Sequence, residues 1–258
     1  MRLRRSLFVL TPFLIVVAIA WVAYAWWKPA HPDALWHIVS QQCLPNQQTN
    51  HNPAPCIQVN EQDGFVVLKD RNGPLQYLLI PSAKITGIES PLLLAPHAPN
   101  FFARAWQARH FMADKYGKPI DDSVISLTIN SEYGRTQNQL HIHISCLQPT
   151  VKHRLAQLAD SVDQQWQSLP GGLLGHDYLA RRISASELDQ QGAFQSLAQG
   201  IDGARENMGH YGMAMTGLPG GDFLLLATRL SLLPFTRASA EEIQDHRCEI
   251  LNPAPARQ

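Results

Sequence analysis

The chain has 258 residues, 45% of them hydrophobic, with 21 Lys or Arg set against 21 Asp or Glu. That length and apolar content suffice for one good-sized core or two small ones. A formal net charge of zero argues against a broad nonspecific nucleic-acid surface, leaving room only for a local basic patch.

The N-terminus carries Arg2, Arg4 and Arg5, and no charged residue follows until Lys28. The intervening stretch, Ser6 to Trp27, is rich in Val, Ile, Leu, Ala and aromatic residues. As a helix rising ~1.5 Å per residue it would span roughly 33 Å, enough for a hydrocarbon core. Tyr24, Trp26 and Trp27 cluster at its far end, where amphipathic rings suit a membrane interface. Three arginines before the stretch, against one lysine just after it, put the N-terminus on the cytoplasmic side. Ala23-Tyr24-Ala25 offers the small-residue spacing of a cleaved signal peptide, but the length of the apolar run and its terminal indoles favour an uncleaved anchor. On either reading everything after Lys28 lies across the membrane. No second run is long enough to span, since "DFLLLATRLSLLPF" is interrupted by Arg229 and stopped by Pro234.

"KPAHPD" then reads as a stiff linker and "ALWHIVSQQC" as a short helix. The four cysteines, Cys43, Cys56, Cys146 and Cys248, are an even number in an oxidising compartment and allow three pairings. Cys43–Cys56 is the favoured one, closing the loop "LPNQQTNHNPAP". No C-x-x-C spacing suggests zinc. "GFVVLKD" and "LQYLLIPS" are strands joined through the turn "RNGP". Phe101, Ala105, Ala108 and Met112 form a helical stripe in "NFFARAWQARHFMADKYG", capped by Asn100 and ended by Gly117. "SVISLTIN" alternates as a strand, and the polar loop "SEYGRTQN" leads out of it. Beyond Pro149 come a helix ("VKHRLAQLADSVDQQW"), a strand ("HDYLARRIS"), a helix ("ASELDQQGAFQSLAQGI") and the strands "YGMAMTG" and "DFLLLATRL". This order echoes the first half, as a degenerate internal repeat would.

The informative stretch is "QNQLHIHISC", Gln137 to Cys146. Side chains two apart on a strand share a face. Leu140, Ile142, Ile144 and Cys146 therefore make an apolar face, and Gln139, His141, His143 and Ser145 a polar one lining a pocket. Three readings of the histidines compete. They are polar residues on an outer sheet face, or two metal ligands in search of distant Asp or His partners, or a nucleophile toward phosphorus with a helper beside it.

From Asn130 through Ser145 the chain resembles the signature of the histidine-triad superfamily of nucleotide hydrolases and transferases. The likeness lies in an asparagine, a short loop with Gly134 and the hydroxyl of Thr136, then histidines alternating with apolar residues. It implies that His141 is the nucleophile and His143 its neighbour, with Gln139 standing where the family has its first histidine. A shifted register would make His143 the nucleophile. The resemblance implies further that Gln139, Thr136, Asn130 and the amides around Gly134 bind phosphate; Arg135 and Lys84 are weaker candidates, as loop charges are commonly just solvated. Over nearly its full length the chain resembles bacterial membrane-anchored CDP-diacylglycerol pyrophosphatases. This implies hydrolysis of CDP-diacylglycerol to CMP and phosphatidate at an inner membrane, with the body periplasmic; no metal or cofactor requirement is evident, and the zero net charge argues against a nucleic-acid partner. The expected fold is α+β, with a histidine-triad-like antiparallel sheet and packed helices behind one membrane helix. Residues 1–27 would be the cytoplasmic end and anchor, 28–55 linker and short helix, 56–150 the catalytic region and 151–258 the second half. A noncatalytic, membrane-tethered module binding nucleotide or lipid is the rival from another class.

Overall fold

The computed structural model describes residues 31–252, with Val17 alone before them. Apart from Val17 the expected membrane anchor lies outside the described residues, among which no helix is long and apolar enough to cross a membrane.

The strands in chain order are β1 (Cys56–Asn60), β2 (Phe65–Lys69), β3 (Tyr77–Pro81), β4 (Ile125–Ile129), β5 (Ile142–Leu147), β6 (Gln167–Ser168), β7 (Leu179–Ile183), β8 (Tyr211–Gly217) and β9 (Phe223–Arg229). A small hairpin, β10 (Ser231–Leu232) and β11 (Phe235–Thr236), and the short β12 (Gln244–Asp245) follow. The main sheet runs β1-β2-β3-β5-β4-β8-β9-β7-β6, with every pairing antiparallel. β12 pairs β5 at Leu147 and Cys146, continuing the edge that β3 occupies from Ile142 to Ile144. Outward from the β4–β8 seam the order is β4, β5, β3, β2 on one side and β8, β9, β7, β6 on the other. The strand order of the second half thus matches that of the first, and one continuous sheet crosses the boundary at residue 150.

Helices α1 (Ala34–Ile38) and α2 (Leu44–Asn50) are joined by a wide helical turn over Val39–Cys43. α3 (Phe101–Ala108) and α4 (His110–Tyr116) follow β3. α5 (Pro149–Leu158) follows β5, and α6 (Ala185–Gln191) and α7 (Ala193–Gly200) follow β7. Two helices expected as continuous are broken. At Arg109 the N–H bonds the Trp106 carbonyl, three residues back, a tightened step that redirects the chain. At Gly192 φ is +75°, a conformation that glycine enters without steric cost. The "LPNQQTNHNPAP" stretch, expected as loop, is largely α2, with Pro45 just after the wide turn. Cys43 and Cys56 are bonded, as are Cys146 and Cys248.

The layers explain where a site can lie. One sheet face packs Tyr77, Leu79, Leu127, Ile142, Ile144, Met213 and Leu225 under the helices that carry Phe101, Phe102, Met112 and Phe194. On the other face two separate apolar clusters form. Val39 and Cys43 cover Val66, Leu68, Leu78 and Ile80, while Val151 and Leu155 of α5 cover Ala180, Ala214, Leu224 and Leu226. Between them, on β4 and β5, that face carries Ser126, Thr128, His143 and Ser145, all buried. The bare-sheet reading of the histidines therefore fails, because the polar strip has a cover of its own.

Asn100 shows how the halves are tied. Its Oδ1 accepts from the Ala103 N–H at 3.2 Å as a helix cap, and its Nδ2 donates to the Leu188 carbonyl at the end of α6. Asn100→Ala removes both bonds, a loss of about 2 kcal/mol. Urea unfolding should show a lower midpoint with an unchanged slope; an unmoved midpoint would refute this role.

Candidate active site

His141 enters β5 from a loop, and its orientation is fixed at one atom. Its Nδ1 lies 2.7 Å from the Gln139 carbonyl oxygen. A carbonyl only accepts, so Nδ1 carries the proton and the Nε2 lone pair is left free. Gln139 is held in turn. Its Nε2 donates to the carbonyls of Pro81 and Ala83, both at 2.9 Å, and its Oε1 accepts from the Ile85 N–H. Both amide protons are spent on the end of β3 and the segment just after it, so the side chain expected to orient phosphate braces the backbone instead.

His143 is the opposite tautomer. The Gln76 Nε2, an obligate donor, lies 3.2 Å from its Nδ1 and also donates to Asp70 Oδ2 at 2.8 Å. Nδ1 of His143 therefore accepts and Nε2 bears the proton. That Nε2 stands 3.4 Å from Glu241 Oε2, close but without hydrogen-bond alignment. The two imidazole centroids are 4.8 Å apart. Around them Gln76 Oε1, Thr128 Oγ1 and Gln244 Oε1 are buried without a hydrogen-bond partner among the described residues. Buried polar atoms are seldom left so, and their clustering beside one histidine marks the strip as a place for a polar guest.

Asn130, at the end of β4, is held by a segment that the sequence reading missed. Its Nδ2 donates to Glu241 Oε2 at 3.0 Å, and its Oδ1 accepts from Ser239 Oγ and the Glu241 N–H. Residues 237–248 run as a strap down the polar strip. The strap begins beside Ser131, whose N–H bonds the Ala238 carbonyl, passes Glu241, and crosses His246, whose Nε2 is 3.2 Å from Glu241 Oε1. It ends at the Cys146–Cys248 bond. Gly73 of the β2–β3 turn is required there, because a Cβ on it would lie 1.9 Å from the His246 carbonyl oxygen. Nothing in the sequence spacing announces Glu241 or His246; only the pairing of Cys248 with a cysteine of the histidine strand would have pointed to them.

The loop between β4 and β5 is otherwise spent on itself. The N–H groups of Tyr133 and Gly134 both donate to Ser131 Oγ, and that of Arg135 to the Ser131 carbonyl, so the amides around Gly134 are not presented to a ligand. Gly134 packs against Arg237 and Ser239, where a Cβ would lie a tight 3.1 Å from the Arg237 carbonyl oxygen. Thr136 is exposed. Arg135 is no solvated loop charge, since its Nη1 pairs with Glu89 Oε2 at 2.7 Å in a mostly buried setting. Lys84 is exposed and stands over the Trp36 ring, 6.0 Å from its centroid. Among the described residues no three His, Cys, Asp or Glu side chains group as a metal site.

Burial governs the electrostatics. It pushes the His141 pKa down to about 4, with the charge of a protonated His143 adding to the effect, while the Gln139 carbonyl, Glu241 and Asp70 oppose it. His143 is likewise lowered to about 4 by burial, against Asp70, with His246 lowering it further. The two interact, so their protons leave as a pair rather than residue by residue. At neutral pH both imidazoles are uncharged, one with a free Nε2 lone pair and the other with an Nε2–H.

A neutral, oriented imidazole beside a second that presents a proton belongs to the chemistry of group transfer, on an α+β scaffold. The CDP-diacylglycerol pyrophosphatase family profile matches residues 30–252. A CDP-diacylglycerol pyrophosphatase of Yersinia pestis is 59% identical over 248 residues, covering 96% of each chain. The chain belongs to this family and is a phosphoanhydride hydrolase.

The histidines leave a signature in stability. Between the unfolded value near 6.5 and the folded value of about 4, the unfolded chain binds protons that the folded one refuses. Stability therefore falls as pH drops through that window and levels off, for these groups, below it. His141→Gln/His143→Gln should flatten the dependence of the urea midpoint between pH 6.5 and 4.5. An equal slope in both proteins would show that the imidazoles are not buried as described.

Proposed function

We propose that this chain hydrolyses the pyrophosphate of CDP-diacylglycerol to CMP and phosphatidate through a nucleotidyl-histidine on His141, while tethered to an inner membrane by Ser6–Trp27 with its body periplasmic. The observation that carries the mechanism is the bond from His141 Nδ1–H to the Gln139 carbonyl, which leaves Nε2 as the free nucleophile. The substrate comes from the family and from the Yersinia pestis relative's name.

In the first step the Nε2 lone pair forms a bond to the phosphorus that bears cytidine, and the bridging P–O bond breaks. Its electron pair leaves with phosphatidate. As Nε2 becomes quaternary, positive charge develops on the ring, and the Gln139 carbonyl oxygen at Nδ1–H stabilises it. His143 is suited to donate its Nε2–H to a nonbridging or departing oxygen. In the second step water adds its oxygen to the same phosphorus and sheds a proton, the N–P bond breaks, and CMP leaves with neutral His141 restored. Dividing one displacement into two is the usual gain of covalent catalysis.

Two features bear on the alternatives. His143 has its Nδ1 lone pair engaged by Gln76 and its Nε2 protonated, which speaks for His141 over the shifted register. Replacement of the first histidine of the triad by Gln139 loses little here, because that residue acts through its carbonyl, with its side chain as a brace. His143 Nε2–H, which has no aligned acceptor among the described residues, is the donor that suits a phosphate oxygen, while Asn130 Nδ2 is already spent on the Glu241 carboxylate. The repeated strand order supports a histidine-triad-like unit duplicated in degenerate form, the second copy having kept the sheet and lost the histidines.

The test is to incubate the full chain with CDP-diacylglycerol labelled in the cytidylyl phosphate, quench in base, and follow label on protein. Label should appear on the wild type, disappear in His141→Ala, and survive chelator, with CMP release lowered by about 10³-fold or more in the variant. CMP formation that persists in His141→Ala would overturn the intermediate. Loss of turnover in chelator would favour the metal-dependent reading, and no turnover at all the binding module.

A further inference from the structure

The antiparallel registers place several connections at one end of the sheet: the loops leaving β3, β4 and β9 and those preceding β5, β7 and β8. His141 lies at this end. So does the start of the described chain, which is fastened to the loop before the histidines. The Asn138 N–H donates to the Pro32 carbonyl, Gln137 Nε2 to the His31 carbonyl, and the Leu35 N–H to Gln137 Oε1. His31 follows the apolar Ser6–Trp27 stretch by only four residues.

The β10–β11 hairpin projects from the same end. At its tip Leu232, Leu233 and Phe235 are 79%, 91% and 58% exposed, and Tyr133 beside it is also exposed. The hairpin is stitched to the histidine loop, since Arg237 Nε donates to the Tyr133 carbonyl, the Tyr133 ring lies 5.6 Å from that of His210, and the Leu230 N–H bonds the His210 carbonyl. Three apolar side chains held out from a two-strand hairpin cost free energy in water, which burial would relieve. The tip is bracketed by Arg229 and Arg237. An apolar tip between guanidinium groups has the chemistry of a wedge seated in the interface of an anionic bilayer, with side chains among the acyl carbons and cations at phosphate level.

We propose that the β10–β11 hairpin is a second membrane contact, inserting Leu232, Leu233 and Phe235 into the bilayer that holds the N-terminal segment. With the linker pinned at Gln137 and Asn138, two contacts at one end of the sheet turn the mouth beside His141 toward the headgroup layer. This rests on the tethered reading above.

The test uses the full chain in vesicles of phosphatidylcholine and phosphatidylglycerol. An environment-sensitive fluorophore is placed at Leu233→Cys or, as a control, at Pro219→Cys in the exposed β8–β9 turn at the opposite end of the sheet. Quenching by doxyl-labelled lipid should be strong at 233 and absent at 219. Leu232→Ser/Leu233→Ser should lower turnover of long-chain substrate in vesicles several-fold and leave turnover of a short-chain, water-soluble analogue unchanged. Vesicle-bound protein with no quenching at 233 overturns the hairpin contact while the tether stands. Protein that does not float with vesicles removes the tether and the hairpin proposal with it. A fluorescence shift at 233 that depends on protein concentration and not on doxyl lipid assigns the tip to a second copy of the chain, which also overturns it.

Discussion

One hydrogen bond organises the site, that from His141 Nδ1–H to the carbonyl of Gln139. An imidazole has two nitrogens of nearly equal basicity, and without a fixed acceptor the lone pair is shared between them. The bond settles which nitrogen is free, and it works only if residue 139 does not move. This accounts for a fully buried glutamine whose amide ties three backbone groups between Pro81 and Ile85, and for a β3–β5 pairing that starts next to it. The Asp70–Gln76–His143 chain sets the second ring by the same means with the opposite outcome. Burial of both rings keeps them neutral; a protonated imidazole could not act as the proposed nucleophile.

The second half of the chain contributes to this site by cover rather than by a second histidine pair. Its strands extend the sheet across the β4–β8 seam, and its α5 cluster forms one wall of the polar strip. Its last described residues supply the strap that brings Glu241 and His246 over the histidines. The strap holds through Asn130 at one end, Gly73 against His246 at the other, and the Cys146–Cys248 bond, which closes a separation of 102 residues. A cross-link over so long a loop removes more unfolded-chain entropy than a short one, ~4–5 kcal/mol by the chain-entropy account. Because Cys146 lies on β5, the strap over the site is fastened to the histidine strand itself.

The legible parts of the sequence were those set by local pattern. Alternation gave β4 and β5 and put His141 and His143 on one face, the turn "RNGP" marked β2 and β3, and the Asn100 cap, the Gly117 stop and the 43–56 disulfide were likewise readable from nearby residues. What escaped was non-local. No period reveals that Arg109 breaks a helix, since the stripe through Phe101 and Met112 continues across it. Gln139, Asn130 and the Gly134 amides looked available for phosphate because a sequence lists donors without showing which are already spent. Arg135 looked solvated because Glu89, its partner, is 46 residues away. The β10–β11 hairpin went unread, since "SLLPF" has core composition and only the fold shows that Leu232, Leu233 and Phe235 are exposed.

A substrate that never leaves the bilayer changes what a site must do. Affinity for acyl chains need not be built into the protein, because the membrane already holds them; the protein has to bring a reactive atom to the depth of the pyrophosphate. A long, flexible tether would raise local concentration while leaving orientation free. Here the chain after the apolar stretch is bonded to Gln137 and Asn138, within four residues of His141, so on the tethered reading little slack separates membrane and nucleophile. Orientation then depends on how many points at that end of the sheet touch the bilayer. One leaves the body free to swing about the linker, and a second, on the far side of the histidine loop, restricts that swing. The depth of His141 would then be set by rigid strands rather than by the linker.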